Sequence, residues 1–294
     1  MLNFKLIEKN DIEKYKKYYD YSEAISCDVS LINSYLWRNE FNIKFAIYDD
    51  TLIRVYCEPD DTIRGYCMPT GKNVKGAVNA VMADADEREI KPAFVMLTNG
   101  QRSKLESLMP SRFEYTRSPE NQDYVYLTED LANMSGKKFH AKRNHISKFY
   151  KTYDNVRFEK ISRANIGDAL DVARKWCAES GINPEEYSEF AVICEAFENY
   201  EAFNMRGALL YVGDTPVAMT AGAEISKLAF DVNFEKALRK YDGVYAVICN
   251  EFAKTLTEYK YINREEDMGI EGLRKSKLSY NPIIIIDRYT ANLR

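Results

Sequence analysis

The sequence predicts an α+β fold made of two copies of one unit, and three observations predict it. The order of elements in the first half returns in the second. Each half carries one strong β-hairpin signal. Around each hairpin, helical-period stretches interleave with short alternating ones, the pattern of mixed sheets flanked by helices.

The first hairpin is FAIYDDTLIRVYC, residues 45–57, which alternates about Asp49 and Asp50. A helical pattern carrying Trp37 precedes it. After it come a strand to Met68, a PTG turn, a helical stretch from Lys72 to Arg88, the strand AFVML, a short helix near 100–108 and the strand RFEYT. In the second half, helical patterns at 163–180, with Trp176, and at 186–199 lead into GALLYVGDTPVAMTAG, turning at Gly213 and Asp214. The strand KLAFDVNF, a helix from Gly243 to about Thr257, the strand KYIN, a helix near 270–278 and the strand YNPIIIID follow in matching order. The polar stretch SPENQ and the segment GKKFHAKRNHISKFY lie between the copies. The expected division is therefore 1–135, a bridging basic helix at 136–153, and 154–294.

A length of 294 residues suits two units of ordinary size, and 46% hydrophobic with 29% charged residues excludes a disordered chain. The net charge is −4, so any basic patch is local. The charged start, MLNFKLIEKNDIEKYKKYY, does not read as a secretory leader. The longest aliphatic run, Ile283 to Ile286, is far too short to span a bilayer, and the cytoplasm is the expected location. Cys27, Cys57, Cys67, Cys177, Cys194 and Cys249 show no metal-ligand spacing and are expected to be reduced packing residues. Neither a metal nor a resident cofactor is expected.

In the segment 136–150, Phe139, Ile146, Phe149 and Tyr150 form one stripe of an amphipathic helix. His140 and His145 are five apart, which sets them roughly 140° from each other on a helix, too far round to chelate one ion. Lys137, Lys148 and Lys151 fall on the outer face, where solvation explains them. Lys142 and Arg143 flank the apolar stripe and are the candidates to bind an anion.

A second candidate region is NREEDMGIEGLRKSKLSYNP, residues 263–282. Glu265, Glu266 and Asp267 follow a strand and precede Arg274, Lys275 and Lys277 on a short helix. Asp267 can be a helix cap, with acids and bases complementing the helix dipole. Equally, a loop at the end of a sheet strand is where such folds place chemistry.

The segments KRNHISKF, FEKA at 234–237, GVY at 243–245 and the 263–282 stretch together resemble the C-terminal domain of phosphatidylglycerol lysyltransferases, and more distantly the Fem-type aminoacyltransferases. The resemblance is specific from about Asp123 to Tyr289 and general before that. It implies two tandem GNAT-like (acyl-CoA N-acyltransferase-like) units. LRKSKLSYNP matches the family pattern R-x-x-K-x-x-F-N-P at Arg274, Lys277, Tyr280, Asn281 and Pro282, which implies a place near the acceptor arm of an aminoacyl-tRNA donor. Asn263 to Gly269 is far more acidic than the relatives' pattern. No membrane-spanning portion like that of the lysyltransferases is expected, so acceptance of a lipid does not follow from the resemblance.

At the place where acyl-CoA enzymes cradle pyrophosphate, the sequence reads ALRKYDGVYA, with only Gly243 retained and Asp242 beside it. This favours an aminoacyl ester over acyl-CoA as co-substrate. Acyl transfer needs a deprotonated nucleophile, an oxyanion donor and a proton for the leaving oxygen. Asp267 is the expected carboxylate for the acceptor; Arg274 and Lys277 are expected to stabilise negative charge; Glu235 and Lys236 are expected to line the cleft, although an exposed ion pair explains the last two equally well. Acceptors compatible with this chemistry are a small molecule, a lipid head-group or a peptide. A module of the same fold that binds RNA or a small ligand without turnover stays open, and whether Asp267, Arg274, Lys277 and Glu235 line one pocket separates the two.

Overall fold

A computed structural model describes residues 1–294. The first half contains β1 (Lys5–Leu6), α1 (Lys9–Tyr15), α2 (Leu31–Leu36), β2 (Ile43–Tyr48), β3 (Thr51–Cys57), β4 (Ile63–Tyr66), β5 (Thr70–Gly71), α3 (Val74–Glu87), β6 (Ala93–Leu97), α4 (Asn99–Leu108), β7 (Phe113–Arg117), β8 (Asp123–Leu127) and α5 (Thr128–Asn133). The second contains α6 (His140–Thr152), β9 (Val156–Lys160), α7 (Ile166–Glu179), α8 (Ser188–Glu198), β10 (Arg206–Val212), β11 (Thr215–Glu224), β12 (Ala229–Ala237), α9 (Val244–Lys254), β13 (Tyr261–Asn263), α10 (Glu271–Leu278), β14 (Ile284–Ile286) and β15 (Tyr289–Leu293).

Both hairpins form where the alternation places them. The β2–β3 turn has Asp49 at φ 42° and Asp50 at φ 54°, the left-handed pair that matches strand twist. Lys72 and Asn73 hold those two carboxylates at 2.5 and 2.6 Å, which explains how aspartates sit there without glycine. In the second hairpin Gly213, at φ 59°, takes the same role.

Two mixed sheets result, in the orders β1-β2-β3-β4-β6-β15-β7 and β9-β10-β11-β12-β13-β8-β14. In each, one parallel pair, β4 with β6 or β12 with β13, sits among antiparallel neighbours. The orders correspond strand for strand, which is the tandem GNAT-like architecture, with a reciprocal exchange: β8 fills the second sheet and β15 the equivalent slot of the first. Division of the chain near residues 135 and 154 would cut both sheets. Neither DYVYL nor YTANL announces its partner, because both pair with strands far away in sequence.

Helices α1, α2, α7 and α8 carry side chains of one shared core between the units, where Ile7, Leu31 and Phe45 meet Val172, Phe190 and Met219. Helix α3 covers the outer face of the first sheet. Helix α9 covers that of the second, and α5 and α6 pack on it. Phe139 and Phe149 are fully buried in that layer, Ile146 is half-buried and Tyr150 is exposed. Helix α6 is thus an outer layer of the second unit and not a bridge between the two. The expected stripe holds at Phe139, Ile146 and Phe149 but not at Tyr150, and the surface it finds is the apolar helix VYAVICNEFAK.

The chain crosses between sheets twice, after β7 and after β14, and the crossings meet. Ser118 N–H donates to the Arg288 carbonyl at 2.8 Å, and Arg117 pairs with Asp287 at 2.6 Å. Between them the fully buried Arg288 guanidinium pairs with Asp123 at 2.7 Å and with Asp28 at 3.0 Å, and donates to Ser26. Removing one member of such a set leaves uncompensated buried charge. Arg288→Met should therefore lower stability by about 3–5 kcal/mol, read from the denaturant midpoint, whereas an effect below about 1 kcal/mol would show that the crossing holds without this ion pair.

Candidate functional site

Strands β12 and β13 pair only from Ala229 to Asp231 against Tyr261 to Asn263, after which they diverge. A register shift between β11 and β12 at Ala221 to Ala223 turns β12 at the same level. The gap is bridged by side chains instead of a backbone ladder. Asn233 Nδ2 donates to Glu265 Oε1 at 3.1 Å, and Arg264 Nη2 donates to Glu235 Oε1 at 2.7 Å.

On the α9 side, the gap is basic and aromatic. The Arg264 guanidinium lies 4.6 Å from the centre of the Tyr280 ring, and the Lys142 ammonium lies 3.6 Å from it. Arg264 Nη1 is buried without a partner. Burial and the neighbouring Arg264 charge push the Lys142 ammonium down to about 8. A narrow cleft beside it is lined by Val232, Glu235, Cys249, Ile262 and Arg264.

Toward the segment Ile25–Asp28, the same gap is acidic. Asp231 is fully buried and accepts from Asn233 at 3.2 Å through one oxygen, while its Oδ1 has no partner. Glu265 and Glu266 are half-buried beside it. Burial, with Asp123 as the next cause, raises the Asp231 carboxyl well above its ordinary range. Burial and Asp231 do the same to Glu265, and burial and Asp123 raise Glu266.

The loop after β13 is fixed by Asp267. Its carboxylate accepts from Arg274 at 2.7 and 2.9 Å, from the Tyr124 hydroxyl at 2.6 Å and from the Gly269 N–H at 2.9 Å. Burial acts to raise this carboxyl, but those donors outweigh it and hold it below the usual range. A carboxylate engaged by four donors anchors a turn; it is poorly placed to take a proton from an acceptor. Lys277 is buried, with its ammonium on the carbonyls of Arg264 and Glu265, and burial lowers its proton affinity. The cleft that includes Glu235 is lined by none of Asp267, Arg274 and Lys277, so the single pocket expected of these four residues in an enzyme does not form. Those three instead shape the loop that carries Arg264 and Glu265.

Other expected residues divide similarly. Arg143 donates to the Met134 and Gly136 carbonyls at 2.5 and 2.7 Å and so caps the turn before α6. Lys236 projects away from the gap, 2.7 Å from Glu189 and 3.9 Å from the centre of the Trp176 ring. Gly243 has φ 87°, and a Cβ there would lie 2.7 Å from the His145 carbonyl oxygen, so close packing of α6 on α9 requires it. Asp242 beside it pairs with Lys148 at 2.6 Å. Asn281 reaches the Lys138 carbonyl at 3.4 Å. Lys142, Glu235 and Tyr280 come together at the gap; Asp231, Asn233, Tyr124 and Arg264 were missed. The signal for two of them was FDVNF, polar residues alternating within a strand too apolar to face water.

This fold and gap define a tandem acyltransferase-like protein. Residues 20–292 match the family described as phosphatidylglycerol lysyltransferase, C-terminal, and the chain belongs to that family. It is similar over its whole length, at 36% identity and a TM-score of 0.92, to all of a conserved protein of unknown function from Bacteroides thetaiotaomicron. The C-terminal domain of a putative lysylphosphatidylglycerol synthetase from Agrobacterium fabrum superposes with a TM-score of 0.68 at 13% identity, over 97% of this chain and 92% of that one. FemX superposes at 0.59 with 8% identity, over 100% and 98%. No helix is long and apolar enough to cross a membrane.

The acidic side of the gap has a measurable consequence. With carboxyl pKa values raised in the folded state, the folded protein binds more protons than the unfolded chain from about pH 4 up to the raised values, so stability falls as pH rises through that window. Asp231→Asn should therefore melt above wild type at pH 8, and the difference should shrink toward pH 5. A variant that melts below wild type at pH 8 would show that the Asp231 charge stabilises the fold.

Proposed function

We propose that the protein is an aminoacyl- or acyltransferase working at the gap between β12 and β13, with aminoacyl-tRNA as donor and an amine or hydroxyl as acceptor. The observation that carries this reading is the convergence of Lys142 and the unpartnered Arg264 Nη1 on Tyr280, beside diverging strands. Two cations with free donors suit the charge that develops on an ester carbonyl and on the terminal phosphate of a donor.

In this reading the acceptor attacks the ester carbonyl carbon, the carbonyl–ribose oxygen bond breaks, the ribose oxygen takes a proton from Lys142, and the proton that the acceptor loses returns to the Lys142 amine. An ammonium held near 8 can give up that proton at neutral pH. Glu235 keeps Arg264 aimed, and Asp267, Arg274 and Lys277 act through the loop they fix. The family described as phosphatidylglycerol lysyltransferase supports a charged-tRNA donor. Acyl-CoA is less favoured, because α6 packs against Gly243 where a pyrophosphate would approach the α9 N-terminus. The acceptor is drawn from small molecules, lipid head-groups and peptides.

The test is transfer from a panel of radiolabelled aminoacyl-tRNAs. Lys142→Met should cut the rate by about 10²-fold or more with little change in melting temperature. It should also reduce the slope of log K against log salt for tRNA binding by about 0.7, the loss of one phosphate contact, while Arg143→Ala leaves that slope unchanged. An undiminished rate in Lys142→Met would sink the assignment.

A further inference from the structure

The acidic half of the gap contains buried acceptors that nothing in the chain satisfies. Asp231 is fully buried and Asn233 is 7% exposed, yet Asp231 Oδ1 and Asn233 Oδ1 both lack a donor. Buried polar atoms are nearly always paired, and leaving one unpaired costs on the order of 1–3 kcal/mol. The Asn233 amide nitrogen bridges Asp231 and Glu265 at 3.2 and 3.1 Å, so the two carboxyls flank one small group.

Nearby cations do not supply the missing donors. Arg54 is engaged by the Asp28 side chain and carbonyl and Lys277 by two main-chain carbonyls, while Arg288 meets Asp28, Asp123 and Ser26 through Nη2 and keeps Nε and Nη1 buried without partners, neither of them on Asp231 or Asn233. Five acids, Asp28, Asp123, Asp231, Glu265 and Glu266, thus share three cations, none of which reaches Asp231 Oδ1 or Asn233 Oδ1. No set of three acids, histidines or cysteines in the molecule is arranged to hold a metal ion. What fits is a cation rich in N–H donors and without acceptors. A primary ammonium has three such donors and is small enough to lie beside a single amide. Glu265 and Glu266 are half-buried and form the rim through which it would enter.

We propose that Asp231, Asn233, Glu265 and Glu266 form a subsite for a primary ammonium group. The amine enters either on the acceptor or on the aminoacyl group carried by the donor, and in both cases the subsite extends the transferase reading to its substrate. Lys142 and Arg264 receive the anionic part of the donor on one side of the gap, and the carboxylates receive the cation on the other. A device of this kind also accounts for the acidity that sets Asn263–Gly269 apart.

Isothermal titration of the full chain at pH 8 tests it, with butylamine hydrochloride as the simple amine and glycine methyl ester as the aminoacyl ester. Tetramethylammonium and butanol serve as a cation without N–H donors and a neutral control. At least one amine should bind, at least tenfold more tightly than tetramethylammonium, with butanol silent. Asp231→Asn, Glu265→Gln and the rim variant Glu266→Gln, confirmed folded by their melting curves, should each weaken it at least tenfold. Preference for butylamine places the amine on the acceptor; preference for glycine methyl ester places it on the transferred group. Absence of binding by both amines, equal binding of tetramethylammonium, or unchanged affinity in the folded rim variant would overturn the subsite. Because the titration needs no turnover, amine binding without transfer from any charged tRNA would count against the transferase reading alone, and transfer without amine binding against the subsite alone.

Discussion

The buried pair of Arg288 with Asp123 is the point on which the two halves of the molecule depend. Each residue stands at a strand that leaves one sheet for the other, and 165 positions separate them in sequence. Two charges in a low-dielectric interior are costly unless their remaining hydrogen-bonding groups are also met. Here Ser26 and Asp28 meet Arg288 Nη2, and Asn263 and the Cys27 N–H meet Asp123, while Arg288 Nε and Nη1 stay unpaired. The same network brings the segment Ile25–Asp28 of the first unit against the floor of the gap in the second. A wall of the candidate site is thus fixed by the interaction that fixes the crossing.

The gap follows from sheet geometry. Once β12 bends at its bulge and β13 ends at Asn263, backbone groups can no longer pair, and side chains must span the opening. Four charged or amide groups do so, in two bridges that face opposite ways. The bridges leave basic groups and an aromatic ring on one side and carboxylates on the other, from residues alternating along two short strands. A core strand carrying Asp231 and Asn233 between Phe230, Val232 and Phe234 lowers stability, and sites that bind or react commonly carry such a cost.

Much of the fold was legible in the sequence because its signals are local. Asp49–Asp50 and Gly213–Asp214 mark the hairpins, and the stripe of α6 reads off a helical wheel. Strand exchange was not legible, since DYVYL fits either sheet by pattern alone and only long-range pairing decides. Within the site, Lys142 was recognisable as a cation pinned beside an apolar stripe. Asp267 was misleading: an acid between a strand and a helix looks the same in sequence whether it works on a substrate or holds a turn, and only Tyr124, contributed by the exchanged strand, shows which. Gly243 is similar, since a glycine before a helix can welcome a phosphate or make room for a neighbouring helix.

The reciprocal exchange of β8 and β15 also constrains how the chain is made. During synthesis the first sheet emerges with a vacant slot between β6 and β7, and the strand that fills it is translated only after the whole second unit. Until then the backbone edges of β6 and β7 are open to pairing with other nascent chains, the hazard of unprotected strand edges. The first-made half is therefore the last to close, and residues 93–117 keep an open place until the final strand of the chain arrives to fill it.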